Sequence, residues 1–298
     1  MNELLMAPPQ HRWPRRGFFK HLAWRAAGSC ALGGLYAWNF DRHWLRIERR
    51  DMPLPNLGSG LEGARLAHIS DLHCSPIVLE RYLLQCVEAV NKLEADFVAI
   101  TGDFITGPAP YAKRAGRILS HLSPHVAAVA CLGNHDYGIV HPRGLGAARG
   151  LAQCVSEHLS RADVFVMMNE PRQFARNGSV LQFVGVEDVW SPQYNPYLAF
   201  ELADKSLPTI ALCHNPAAAD ELIRHGAHWV LSGHTHGTPV DENLVTNALM
   251  PSQCKGYSAG HYPLAGGDLY VNRGLSYGRR VNLNSRPEIT LFTLRKAT

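Results

Sequence analysis

The sequence predicts an α/β sandwich with buried sheets. Two observations carry that expectation: short runs rich in Val, Ile, Ala and Phe recur along the chain, and helix-length segments separate several of them. Arg65–Ser70, Phe97–Thr101, Val126–Leu132, Val164–Met168, Val180–Val186, Thr209–Cys213 and Trp229–Ser232 have the length and apolarity of buried strands. Ile77–Leu93 sets Leu79, Leu83, Val87 and Val90 at roughly helical spacing, and Ala217–His225 follows Asn215 and Pro216, a helix start signal. After Gly237 comes a Gly/Pro-rich stretch to Gly267, long enough for a lid, and strand-like runs resume at Asp268–Asn272 and Glu288–Leu294. Residues 51–63, with two Pro and three Gly, read as a linker between an N-terminal segment, 1–50, and a folded domain, 64–298.

Charge is divided in the same way. The chain of 298 residues is formally +4. Residues 1–50 hold nine Lys/Arg against Glu3, Asp41 and Glu48, so the remainder carries 20 basic and 22 acidic residues and is slightly negative. General binding along a nucleic-acid backbone needs a basic track, and the body has none to offer, so no nucleic-acid partner is expected. Seven Cys without a Cys-x-x-Cys pair indicate neither a zinc ribbon nor a disulfide framework.

In the N-terminal segment, Pro14-Arg15-Arg16-Gly17-Phe18-Phe19-Lys20 precedes an uncharged run from Ala26 to Phe40. Basic followed by apolar is the layout of an export signal or a membrane anchor. The run is short against the roughly 20 residues that span a bilayer, and a helix lying on a membrane, with Trp24, Trp38 and Trp44 at the interface, is the alternative. The Arg pair resembles a twin-arginine export signal, although Pro14 departs from that pattern.

Metal-binding residue types recur directly after the predicted strands, where open α/β sheets place their sites. Asp71 and His73 follow the first run, Asp103 the second, and Asn134, His135 and Asp136 the third. His214 follows the sixth run, and His234 and His236 the seventh. Two divalent ions about 3.5–4 Å apart need a bridging carboxylate, and imidazoles with carboxylates suit first-row metals. A lone Asp-x-His means little, whereas five such elements in order carry weight together.

This ordered set resembles the calcineurin-like metallophosphoesterase superfamily across nearly all of residues 64–295. The resemblance implies a four-layer α/β/β/α sandwich and hydrolysis of a phosphoester by a metal-activated water. It implies one ion on Asp71, His73 and His236, a second on Asn134, His214 and His234, and Asp103 between them. His135 would contact the phosphate and leaving oxygen, with Asp136 orienting its ring. The ions would be two divalent metals, manganese first, with iron or zinc also suited. His68 reads as a core or supporting histidine.

For the substrate, Asp188 resembles a Gly-x-x-Asp element of a membrane-associated bacterial branch of the superfamily, one similar to a UDP-2,3-diacylglucosamine pyrophosphatase of lipid A synthesis. Arg273, beside Arg279 and Arg280, is placed to meet a phosphate or pyrophosphate. Trp190, Tyr194 and Tyr197 either line a substrate groove or pack under a loop. The expected activity is a phosphodiesterase or pyrophosphatase acting on a lipid-linked precursor. A broad phosphomonoesterase, a cyclic-nucleotide phosphodiesterase and a non-catalytic membrane-tethered binding module are the alternatives. The resemblance implies a place at the bacterial inner membrane: the periplasmic face if the export signal is used, otherwise the cytoplasmic face.

Overall fold

The computed structural model describes residues 15–39, 44–142, 144–237, 256–277 and 286–297. Pro14, Arg279, Arg280 and residues 238–255 of the expected lid lie outside the described residues. The chain divides after Asp41 into two units. The first contains helix α1, Arg15–Asn39, on which Phe19, Leu22, Trp24 and Leu32 are exposed. Among the described residues no helix is long and apolar enough to cross a membrane.

The second unit is a double sheet among its described residues. Strands β1 (Arg46–Leu54), β2 (Arg65–Ile69), β3 (Phe97–Thr101), β4 (Ala127–Cys131), β5 (Val164–Val166) and β12 (Glu288–Lys296) form one six-stranded sheet, in the order β1-β12-β2-β3-β4-β5. The other six-stranded sheet runs β10-β11-β9-β8-β7-β6, from β6 (Glu170–Arg176), β7 (Ser179–Gly185), β8 (Thr209–Leu212), β9 (Trp229–Ser232), β10 (Gly260–Leu264) and β11 (Gly267–Val271). Within them β2, β3 and β4 are parallel to one another, as are β7, β8 and β9. All six therefore deliver their following loops to the same end of their own sheet.

The inward faces of the two sheets meet in a layer that includes Phe97, Phe183, Trp229 and Phe292. Phe97 and Phe183 lie 5.6 Å apart between ring centroids, and Trp229 and Phe292 5.7 Å. On the outer face of the first sheet pack α2 (Glu80–Asn91), α3 (Pro110–Leu119) and α4 (Leu151–Ser160), through side chains such as Leu83, Val87, Ile118 and Val155. Those of α2 recur at the three- and four-residue spacing of one helical stripe. On the other outer face lie α5 (Pro196–Glu201) and α6 (Ala219–His225), with Phe200, Leu222 and Ile223 turned to the second sheet. Helix α5 starts where Asn195 Oδ1 accepts the backbone N–H of Leu198, with Pro196 in its first turn. The four-layer α/β/β/α architecture is thus present.

One boundary differs from the sequence reading. Residues 46–54 are not tail and linker: they form β1, paired in parallel with β12 from Arg46 opposite Glu288 to Leu54 opposite Lys296. Met52, Leu54, Leu57 and Leu61 are buried between the sheets, so the Pro-containing stretch is the edge of the core and not a tether. Pro53 is tolerated because β1 is an edge strand. Likewise Gly260–Leu264, inside the stretch expected to be irregular, is strand β10 in antiparallel pairing with β11.

Candidate metal centre

The loops leaving β2, β3 and β4 meet those leaving β8 and β9, and hydrogen bonds join them. Within the first sheet, Asp71 N–H donates to Gly102 O (3.0 Å) and His73 N–H to Asp103 O (2.9 Å). Across the sheets, His214 Nδ1 lies 2.6 Å from Thr101 O, and His234 N–H donates to Asp71 Oδ2 (3.2 Å). The turns are tight enough to place five of these residues in the left-handed region: Asp71 (φ 53°), His73 (45°), Asp103 (54°), His234 (72°) and His236 (52°). Such conformations cost non-glycine residues on the order of 1–3 kcal/mol each and persist where surrounding structure enforces them.

The structure brings the expected donors together. Asp71, His73 and His236 form one group, His73, Asp103 and His135 a second, and Asp103, His214 and His234 a third, with ligand atoms in each group within 4.8 Å of one another. Asp103 and His73 each belong to two groups, and of the two only Asp103 is a carboxylate. Its Oδ2 lies 3.1 Å from His214 Nε2 and 3.5 Å from His73 Nε2. Around Asp71 Oδ1 stand His236, His73 and His214, with Nε2 atoms at 3.4, 3.6 and 3.9 Å.

The donors share one design. Asp71 fixes Oδ2 on the backbone of His234, Asp103 fixes Oδ1 on the backbone N–H of His135 (2.9 Å), and Asn134 donates Nδ2 to Ile139 O (2.6 Å). His214 holds its Nδ1 on Thr101 O, and His73 its Nδ1 on the Thr106 hydroxyl at 2.6 Å. Each of these five side chains is tied by one polar atom; the second lies near another donor in His73, whose Nε2 is 3.1 Å from His236 Nε2, and is left over in three of the others. Asp71 Oδ1, Asn134 Oδ1 and His214 Nε2 are buried with no hydrogen-bond partner among the described residues. Buried polar atoms are rarely left so, and bound cations would satisfy them. The residues therefore fit divalent ions. Thr101 and Thr106 take part as backing groups that no spacing in the sequence singles out.

Electrostatics agrees. Burial opposes ionisation of Asp71, but the imidazoles of His236, His73 and His214 outweigh it and hold the carboxyl below the usual range. For Asp103, burial is likewise overcome by His214, His135 and His73. His214 is held well above the ordinary imidazole value: burial works against its charge, and Asp103 and Asp71 prevail. The ionised carboxylates thus favour a positive charge on the neighbouring imidazole, a charge that a metal cation can supply instead.

Three expectations about single residues change. Asp136 is engaged with backbone: its Oδ1 accepts the N–H groups of Phe104 (2.9 Å) and Ile105 (3.2 Å), and its Oδ2 that of Gly133 (2.9 Å). The helical turn Asn134–Tyr137 aims its carboxylate back at the backbone, so Asp136 pins two loops together. Asp188 is fully buried and accepts Trp190 N–H (2.8 Å), with burial pushing its carboxyl up to about 6, which places it behind the site and not at a substrate surface. Arg273 pairs through Nη1 with the buried carboxylate of Glu288.

Of the aromatic residues considered for a groove, Trp190 stands edge-on to His234 at 4.9 Å, while Tyr194 donates its hydroxyl to Glu221 (2.8 Å) and Tyr197 is exposed. His68 is fully buried with Nε2 2.9 Å from Thr101 Oγ1, and burial pushes its pKa down to about 3. Its unfolded ring binds a proton below about 6.5 whereas the folded one resists until about 3, so falling pH favours the unfolded chain. Metal-free protein is expected to lose about 2 kcal/mol through this group between pH 7 and 5. Urea unfolding at both pH values measures it, and His68→Gln should flatten the difference.

Carboxylates and imidazoles gathered between two sheets at the ends of parallel strands define a divalent-metal hydrolase site. The particular family follows from the sequence match: the calcineurin-like phosphoesterase family matches residues 64–238, more than half of the chain, and the chain belongs to that family. It is a hydrolase of phosphoester bonds. It is 28% identical to the UDP-2,3-diacylglucosamine pyrophosphatase LpxG of Chlamydia muridarum, over 87% of this chain and 92% of that one. With the phosphodiesterase YaeI of Escherichia coli (strain K12) it shares 27% identity over 77% of this chain and 82% of that one. With a zebrafish (Danio rerio) transmembrane protein with metallophosphoesterase domain it shares 29%, over 83% of this chain and 56% of that one.

Proposed function

We propose that this protein hydrolyses a phosphodiester or pyrophosphate bond in a lipid-linked substrate of the class of UDP-2,3-diacylglucosamine, using two divalent ions. The observation that carries the metal part is the gathering of buried carboxylates and imidazoles into three overlapping groups, with Asp71 Oδ1, Asn134 Oδ1 and His214 Nε2 left without a hydrogen-bond partner among the described residues. Asp71, His73 and His236 would hold one ion, Asn134, His214 and His234 the other, and Asp103 would serve both. When bound, the ions would supply a water of lowered pKa and polarise the phosphoryl oxygens. His135, whose ring lies 5.1 Å from that of His73, is the group that protonates the leaving oxygen. Manganese is the first choice of ion, and iron and zinc suit the same donors.

The substrate part rests on the likeness to LpxG along most of both chains. Attachment to a membrane surface is assigned to α1, whose exposed Phe19, Leu22, Trp24 and Leu32 share the helix with Lys20 and Arg25. Purified protein, stripped of metal and given Mn²⁺, is expected to turn over bis-p-nitrophenyl phosphate and UDP-2,3-diacylglucosamine, and both faster than p-nitrophenyl phosphate. Faster monoester turnover would make it a phosphomonoesterase. Diester turnover without any on the lipid nucleotide would remove the lipid substrate, and no metal-dependent turnover at all would remove the mechanism.

A further inference from the structure

The match to the family ends at residue 238, yet the backbone under Asp71 is held from beyond it. Asp71 sits at φ 53°, and its left-handed turn has to be enforced by neighbours. The loop after β11 does this. Leu275 N–H donates to Ser70 O (2.9 Å) and Ser276 N–H to Asp71 O (2.9 Å), so the loop brackets the ligand's own peptide. Just before those contacts Gly274, at φ +77°, is pressed so close that an added Cβ would lie 2.6 Å from Asp71 Cβ and 3.1 Å from Asp71 Oδ2.

The loop is itself locked at several points. Asn272 Oδ1 accepts Gly274 N–H (2.7 Å), and its Nδ2 donates to His68 O (3.2 Å) and Thr290 Oγ1 (3.1 Å). Asn272 N–H reaches Ser232 O (2.8 Å), two residues before His234. Arg273 pairs with Glu288, which also accepts the hydroxyls of Tyr270 (2.7 Å) and Thr290 (2.8 Å). Two sheets and the stem of the His234–His236 segment are thereby joined at the residue that seats Asp71.

We propose that Gly274, locked by Asn272 and the Arg273–Glu288 pair, is a positioning residue that sets the carboxylate of Asp71 for its metal ion. This rests on Asp71 being a metal ligand, as proposed above.

The experiment is a calorimetric Mn²⁺ titration of the metal-free, full-length protein. Three chains are compared: wild type, Gly274→Ala and Gly63→Ala. Gly63 has nearly the same backbone angle (φ +75°) with nothing within 4 Å of its added Cβ, so it reproduces the backbone strain without the push on Asp71. Gly274→Ala is expected to bind one of its Mn²⁺ ions about 10-fold or more weakly, the usual effect of losing a ligand's supporting contacts, and Gly63→Ala to bind as wild type. Equal affinity in Gly274→Ala and wild type, or equal losses in both variants, would overturn the proposal. Wild-type protein that binds no Mn²⁺ would instead overturn the assignment of Asp71 on which it rests. Should Gly274→Ala fail to fold by near-ultraviolet circular dichroism, Asn272→Ala, which removes the acceptor for Gly274 N–H and adds no atom, is held to the same two outcomes.

Discussion

Asp103→Ala is expected to lower kcat/KM on bis-p-nitrophenyl phosphate by about 10³-fold or more, corresponding to about 4 kcal/mol in the barrier. Purified from Mn²⁺-containing medium, it should carry at most one ion per chain by elemental analysis. Its Oδ2 lies 3.5 Å from His73 Nε2 and 3.1 Å from His214 Nε2, and its Oδ1 holds the backbone N–H of His135 in the turn Asn134–Tyr137, so one substitution empties the middle of the cluster. His214 then loses the neighbour that most favours its charge. Asp103→Asn, which keeps the acceptor for His135 N–H but not the charge, should retain the fold and still lose the second ion. A variant with two ions and wild-type turnover would show that Asp103 does not join the sites.

Gly233→Ala is expected to fail for a purely spatial reason. Its backbone is not among the left-handed ones, yet an added Cβ would lie 1.9 Å from Ser70 Oγ and 2.4 Å from Asp71 Oδ2. Neither neighbour can move cheaply: the Ser70 hydroxyl donates to Thr101 O (2.8 Å) and Asp71 Oδ2 accepts His234 N–H. Overpacking of this kind costs about 1–3 kcal/mol, or roughly 2–10 °C in Tm for a unit of this size. The larger effect is on chemistry, because the β9 loop has to back away from Asp71 and take His234 and His236 with it. Differential scanning calorimetry with metal analysis checks both, and a Tm within 1 °C of wild type with full metal content would refute the packing argument.

The strands that pack on both faces were legible because burial forces an unbroken apolar run, as in Phe97–Thr101 and Trp229–Ser232. The strands that escaped notice, β1, β6 and β10, are all at sheet edges, where Arg46–Leu54 can carry four Arg or Glu residues before its first buried side chain and Gly260–Leu264 can hold a Pro. Ligand types were legible for a related reason: a chelating side chain right after a buried strand is conspicuous. What those side chains do with their second atom was not. Adjacency suggests that Asp136 serves His135, and only the turn geometry sends its carboxylate to Gly133, Phe104 and Ile105. The seat of Asp71 was equally hidden, because 203 positions separate it from Gly274 along the chain.

The place of β12 sets a timetable for biosynthesis. It lies between β1 and β2, so the first sheet has a missing inner member until residues 288–296 have been made. Two strands synthesised early must wait, unpaired on their facing edges, for one synthesised some 220 residues after β2. The nascent chain accordingly exposes open strand edges, the usual entry to misassembly, until residues 288–296 have emerged. Ions meeting the polypeptide before then would encounter Asp71 and His73 on an unfinished scaffold.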